Sequence, residues 1–222
     1  MKTILIIGAS RGLGRALAEE HLARGWQVIA TARNPAALDG AKHDRLEVMP
    51  LDTTDWPALE GFAQALDGRR IDLLFVNAAI AEDKRPVGET DPDAFARMML
   101  TNALAPLRIA DRLAPLVPRE GTIAVMSSSL GSIAMNGSGG WEVYRMTKAA
   151  LNMGLRSLAL RRKAEGRTYI AADPGWVRTD MGGKEATLSI GQSIPRLADM
   201  LEQRQGRGGV AFASYENRDL PW

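Results

Sequence analysis

The sequence predicts an α/β protein built on one doubly wound, parallel sheet of seven strands. Three observations predict it. Short apolar runs alternate with amphipathic stretches from the first residues almost to the last. Several of those runs are apolar on successive residues, as strands covered on both faces should be. No Pro-, Gly- or Ser-rich linker divides the 222 residues, so residues 1–222 read as a single domain.

The elements follow in order. Lys2 to Ile7 is a short apolar strand. Gly12 to Arg24 is a helix, with Leu13, Leu17, Ala18 and Leu22 on one face, and Gly25 stops it. Trp26 to Thr31 and Leu46 to Leu51 are strands, Asp55 to Leu66 is a helix, and Ile71 to Val76 is a fourth strand. Asp91-Pro92 opens a long helical stretch, Asp91 suiting the cap and Pro92 the first helical position. Gly121 to Met126 is a strand, Val143 to Glu165 a helix, Tyr169 to Ala172 a strand, Ile194 to Gln205 a helix, and Val210 to Ser214 the last strand.

Composition removes several function classes. Lys plus Arg number 28 against 26 Asp plus Glu, a net charge of +2, so a phosphate-neutralising surface for nucleic acid has no support. There is no cysteine, which excludes disulfides, thiolate metal sites and cysteine catalysis. The two histidines, His21 and His43, stand in no metal motif and read as surface residues; no metal is expected. No apolar run is long enough to cross a bilayer, and Ile4 to Ile7 is too short for the core of a signal peptide. A cytoplasmic protein that acts without a membrane is the expectation.

In such sheets ligands sit at the carboxyl ends of the strands. After the first strand comes Gly8-Ala9-Ser10-Arg11-Gly12-Leu13-Gly14. Gly8 allows a tight turn, Gly12 lets the backbone approach a phosphate, and Gly14 lets the helix pack close. The following helix N-terminus offers free N–H groups to a pyrophosphate. After the second strand, where an acid would hold a ribose 2′-hydroxyl, stand Thr31, Ala32 and Arg33. Arg33, with Arg11, suits a 2′-phosphate, which favours NADP(H) over NAD(H). Asp52 follows the third strand and either accepts the adenine amino group or caps the next helix. Asn77-Ala78 follows the fourth, with small residues beside a flat ring and Asn77 tying neighbouring segments.

Beyond the fifth strand stand Ser127-Ser128-Ser129 and then Tyr144-x-x-x-Lys148. Residues four apart share a helix face. An ammonium beside a phenol lowers its pKa. Moving a Tyr from about 10 to about 7 needs roughly 4 kcal/mol, and an oxidised nicotinamide would help.

Gly8-x-x-x-Gly12-x-Gly14, Asn77-Ala78, Asn102, Ser128, Tyr144-x-x-x-Lys148 and Pro174-Gly175, in that order, resemble the short-chain dehydrogenase/reductase family. The resemblance runs from Lys2 to about Met181 and implies a Rossmann fold and hydride transfer between a nicotinamide and a carbonyl or alcohol carbon. It implies that Tyr144 is the acid/base, that Lys148 holds the nicotinamide ribose and tunes Tyr144, and that Ser128 orients the carbonyl. Asn102 would hold a water in the proton relay. Gly8, Ser10, Arg11, Gly12, Leu13 and Gly14 match the phosphate loop. Asp52 and Asn77 match the adenine side, and Pro174, Gly175, Val177 and Thr179 the segment along the carboxamide.

The sequence departs from the family in three places. Ile7 replaces the usual Thr, and Val76-Asn77-Ala78-Ala79 replaces Asn-Asn-Ala-Gly. The Ser128 to Tyr144 interval is longer than usual, with Ser127 and Ser129 competing for the serine role. The short chain, the Gly131-Ser132-Ile133 turn and the closing Leu220-Pro221-Trp222 resemble a compact subgroup of C-factor and sniffer-type carbonyl reductases. Leu130, Met135, Trp141, Trp176 and Met181 are the candidate pocket wall, with a short substrate loop at about 179–195. An apolar wall suits an aldehyde or ketone. The rival readings are an NADP(H)-binding sensor or signalling protein with little turnover, and a β-ketoacyl reductase with a basic pocket mouth. Association into a homodimer or homotetramer would use the two long helices, around Phe95 to Leu116 and Val143 to Glu165.

Overall fold

The computed structural model describes residues 1–38, 40, 43–81 and 85–222. Seven parallel strands form one sheet in the order β3-β2-β1-β4-β5-β6-β7. They are β1 (Thr3–Ile7), β2 (Gln27–Ala32), β3 (Leu46–Pro50), β4 (Leu73–Val76), β5 (Thr122–Met126), β6 (Thr168–Asp173) and β7 (Gly209–Ser214). The helices are α1 (Gly12–Ala23), α2 (Trp56–Ala65), α3 (Pro92–Met99), α4 (Ala105–Leu113), α5 (Glu142–Arg161) and α6 (Ile190–Arg204).

Strand residues alternate between two cores. Leu5, Ile7, Leu74, Val76, Ile123 and Val125 face one way, against Leu59 and Phe62 of α2, Ile109 and Leu113 of α4, and Leu151 and Leu155 of α5. Ile4, Ile6, Val28, Phe75, Ala124 and Ile170 face the other way, against Leu17 and Leu22 of α1 and Leu197 and Leu201 of α6. The chain reverses direction across the sheet between β1 and β4, and this opens the crevice in which such folds bind ligands.

Four expectations need correction. The stretch opened by Asp91 is not one helix. Asp91 does cap it, accepting from the N–H groups of Asp93 and Ala94, but a π-helical turn, Leu100–Leu104, separates α3 from α4. The helix expected to end at Glu165 stops at Arg161, and a 3-10 turn closes on Gly166 at φ +78°. The last helix starts at Ile190, not Ile194. Ser189 and Gln192 form a reciprocal capping box, Pro195 falls inside the helix, and the expected substrate loop is helical from residue 190 onward.

His21 is not a surface residue. It is buried, with Nδ1 2.9 Å from the Leu17 carbonyl and its ring edge-on to Trp26 at 5.1 Å. Position 21 shares the inward face of α1 with Leu17, and burial holds its pKa below the usual histidine value. His43 is exposed.

Candidate active site

The crevice is built from the loops that follow the strands. Gly8 takes φ +88°, and a Cβ there would stand 3.0 Å from the Ala78 nitrogen. A Cβ on Gly14 would stand 2.2 Å from the Gly8 oxygen and 2.6 Å from Asn77 Nδ2. Both glycines are therefore demanded by close packing between β1, α1 and β4. Gly12 differs: at φ +57° a Cβ would meet nothing within 4 Å, so its outer side is open. Arg11 at the N-cap supplies no side-chain cap, and α1 has no acid in its first turn. The first amides of α1 are thus left for an anion.

Thr31 and Asn77 brace this loop. Thr31 Oγ1 accepts from the Gly8 N–H at 3.1 Å, and Asn77 Nδ2 donates to the Gly8 carbonyl at 2.8 Å. Thr31 is buried beneath the loop, and Asn77 makes the tie expected of it. Arg33 is exposed at the end of β2 and forms no ion pair among the described residues. Arg11 instead meets Asp180 at 2.8 Å across the mouth, with both side chains mostly in solvent, so the pair holds weakly. Asp52 does not cap α2; Asp55 does, accepting from the Ala58 N–H at 2.9 Å. Asp52 Oδ1 accepts from the Thr54 N–H and hydroxyl, and these bonds, with Arg33 nearby, hold its pKa low.

Opposite the glycine loop, α5 brings up Tyr144 and Lys148. Lys148 is buried, its Nζ 2.8 Å from the Met126 carbonyl at the end of β5 and 5.6 Å from the Tyr144 ring centre. Burial pushes its pKa down to about 7. Tyr144 shifts the opposite way to the sequence expectation. Burial first, and the carboxylate of Asp173 second, push the phenol above its ordinary value.

Of the three serines, Ser127 is the one whose hydroxyl is spent inside the protein. Ser127 is buried and donates to Asn152 Oδ1 at 2.6 Å. Ser129 is held through its N–H by Asp173 Oδ1 at 2.9 Å. Ser128 Oγ accepts from the Leu130 N–H at 3.2 Å, which leaves its proton free to donate. Asn102 lies buried in the π-helical turn. Its Oδ1 accepts from the Ile80 N–H at 2.8 Å, and its Nδ2 donates to the Ile80 carbonyl at 2.8 Å and to Thr147 Oγ1 at 3.2 Å. Its two amide hydrogens are thus spent on Ile80 and Thr147, and its Oδ1 accepts one bond from the loop after β4.

Pro174 and Gly175 follow β6. Gly175 stands at φ +78°, and Val177 bridges Leu188. Thr179 Oγ1 accepts from the Gly182 N–H at 3.0 Å. Among the expected pocket residues, Trp141 packs edge-on to Tyr144 at 6.0 Å, and Leu130 is part-buried. Met135, Trp176 and Met181 are exposed, with Trp176 Nε1 donating to the Gly182 carbonyl at 2.9 Å. Trp141 sits at φ 52°, a backbone strain next to Tyr144.

Sequence reasoning missed Asp173. It is 6% exposed, and burial raises its pKa against the pull of the Ser129 and Gly175 N–H groups. The available signal was an acid at the last residue of an otherwise apolar strand.

The sequence model of the short chain dehydrogenase family matches residues 2–188. The chain belongs to that family. Among solved members, a short-chain dehydrogenase/reductase from Burkholderia multivorans with bound NADP is 44% identical, with a TM-score of 0.96 over 100% of this chain and 99% of that one. Carbonyl reductase Sniffer of D. melanogaster is 27% identical, with a TM-score of 0.90 and full coverage of both chains. The C-signal of Myxococcus xanthus is 34% identical over 167 residues, 74% of this chain and 100% of that protein. The family member described here thus falls with the compact C-factor and sniffer-like branch. Among its described residues no helix is long and apolar enough to cross a membrane.

Proposed function

We propose that the chain is an NADPH-dependent carbonyl reductase in which Tyr144 is the general acid. The observation that carries this reading is the pair Tyr144 and Lys148 on one face of α5, with Nζ 5.6 Å from the phenol ring centre. The open flank of Gly12 and the uncapped start of α1 suit a dinucleotide pyrophosphate, and Arg33, exposed at the end of β2, suits a 2′-phosphate. The NADP bound to the Burkholderia multivorans relative supports the same assignment.

When bound, the nicotinamide supplies the hydride. As negative charge grows on the carbonyl oxygen, Ser128 Oγ–H and the Tyr144 phenol donate to it. The phenol proton then passes to the oxygen to complete the alcohol, and the phenolate recovers a proton from solvent by way of Lys148. In the cofactor-free chain the phenol is held protonated at neutral pH by its burial. Gly8, Ser10, Leu13, Gly14, Asp52, Asn77, Ala78, Pro174, Gly175, Val177 and Thr179 would line the cofactor. Leu130, Met135, Trp141, Trp176 and Met181 would offer an apolar wall to an aldehyde or ketone, with the segment from Thr179 to Ser189 as the substrate loop. Asn102 would act by holding the loop after β4. The protein would work in the cytoplasm as a homodimer.

The likeness to the C-signal supports a second reading, in which NADP(H) occupancy is itself a signal. A buried Lys148 beside Tyr144 is costly in a protein that only senses. Cofactor choice is tested by Arg33→Glu. Charge-assisted bonds from an arginine are worth about 1.5–3 kcal/mol, so NADPH affinity should fall by one to two orders of magnitude while NADH affinity holds. Equal loss of both would contradict the assignment.

A further inference from the structure

Beyond β7 the chain turns at Asn217, in a left-handed conformation at φ 62°, and runs back along the strand. Ala213 bridges Asp219 in antiparallel sense, and the Leu220 N–H donates to the Phe212 carbonyl at 2.8 Å. The buried Arg204 of α6 clamps this turn. Its Nε donates to Asn217 Oδ1 at 2.6 Å, its Nη1 to Asp219 Oδ1 at 2.6 Å, and its Nη2 to the Asn217 carbonyl at 3.0 Å. The Trp222 ring then lies 5.5 Å from Phe212, with the Arg156 guanidinium of α5 5.4 Å above it.

What this tail reaches is the loop that leaves Ser128. The Ser132 hydroxyl donates to the Pro221 carbonyl at 2.6 Å and accepts from the Met135 N–H at 3.1 Å. The Ala134 N–H donates to the Trp222 carbonyl at 3.3 Å. Ser132 is 2% exposed although its neighbours Ile133 and Met135 stand in solvent. From the other side the same loop presses on α5. The Gly131 carbonyl accepts from Asn152 Nδ2 at 3.3 Å, and a Cβ on Gly131 would stand 2.8 Å from Lys148 Cβ.

We propose that residues 217–222 brace the Ser128–Met135 loop against α5, and that Ser132 and Trp222 are positioning residues for the carbonyl pocket. The inference rests on the carbonyl-reductase reading for its kinetic consequence only. Ordering a loop residue costs backbone entropy that fixed contacts must offset. Residues 132–135 have no regular secondary structure, and the tail supplies two of their hydrogen bonds. Leu130 and Met135 sit on this loop, whereas among the described residues no hydrogen bond, ion pair or ring contact joins the tail to the Gly8–Gly14 loop or to Arg33. Loosening the brace should therefore disturb substrate placement and leave NADP(H) binding alone.

The test uses the full chain carrying Ser132→Ala or Trp222→Ala, with Ser132→Thr and Trp222→Phe as the conservative pair. Amide exchange over residues 132–137 is read without substrate. NADPH affinity and the KM and kcat of a carbonyl substrate are read beside it. The brace predicts exchange at least tenfold faster in the two alanine variants, KM raised three- to tenfold, NADPH affinity within twofold of wild type, and recovery in the conservative variants. Unchanged exchange in Ser132→Ala and Trp222→Ala would overturn it. So would a matched loss of NADPH affinity and kcat at constant KM. Where Trp222→Ala does not fold, Ser132→Ala decides alone. Exchange needs no turnover, so a failure of the reductase reading is seen separately, as a wild type that reduces no carbonyl.

Discussion

Lys148 carries its ammonium group into the protein interior with one carbonyl oxygen for company. A fall from 10.5 to about 7 corresponds to about 5 kcal/mol of lost stability when the group is protonated in both states. The sign follows from proton counting. Between pH 7 and 10.5 the unfolded chain holds more protons on this lysine than the folded one, so its contribution to stability rises with pH through that window. Lys148→Met should therefore raise the melting temperature of the cofactor-free protein by several degrees at pH 6 to 7. The gain should shrink towards pH 10. It should be smaller than the full penalty, because the Met126 carbonyl loses its donor. Thermal denaturation of both proteins across pH 6–10 checks this, and a gain independent of pH would contradict it. Spacing put Tyr144 and Lys148 on one face, but their pKa directions were not legible: a sequence gives the neighbours along a helix, whereas burial and Asp173 come from β5 and β6. His21 was misread for the same reason, because a polar residue on an apolar helix face looks like a surface residue until Trp26 covers it.

At the scale of elements, β1, its loop and α1 form a unit in which close approach leaves no room for a side chain. Gly14→Ala would place a methyl 2.2 Å from the Gly8 carbonyl oxygen, an atom held by Asn77 Nδ2 in a residue whose N–H is held by Thr31 Oγ1. The expected cost is about 3 kcal/mol, with NADPH affinity reduced as the loop shifts. Gly12→Ala meets no neighbour, so its loss of stability should come from the left-handed backbone alone and be nearer 1 kcal/mol. Denaturant titration of the two variants separates packing from conformation, and equal losses would contradict the distinction. The glycine spacing was legible in the sequence, although the close packing that demands Gly8 and Gly14 comes from Asn77 and Ala78 at the end of β4. The π-helical turn at Leu100–Leu104 was not, since apolar periodicity does not distinguish an i→i−5 bond from an i→i−4 bond. The start of α6 was legible in principle from Ser189-x-x-Gln192, but Pro195 draws attention to a later start.

Over the whole molecule, alternation of strand and helix patterns was enough to give seven parallel strands, because each apolar run had to be covered on two faces. Quaternary structure depends on what is left uncovered. Met146, Met153 and Leu160 recur every seven residues along α5 and are exposed, as is Leu104 beside α4. Such a stripe suits a second copy of the same helix. Light scattering should give about twice the 24.0 kDa chain mass, and Met153→Glu should return it to one. A wild type that stays monomeric would remove the stripe as an interface.

The central claim is that this molecule reduces carbonyls with a proton from Tyr144. NADPH consumption over a mixed panel of aldehydes and ketones, wild type beside Tyr144→Phe, tests it most directly. The account predicts turnover with NADPH that falls by about two to four orders of magnitude in the variant, with NADPH affinity retained. Undiminished turnover in Tyr144→Phe, or tight NADPH binding by a wild type that consumes none of it, would contradict the account.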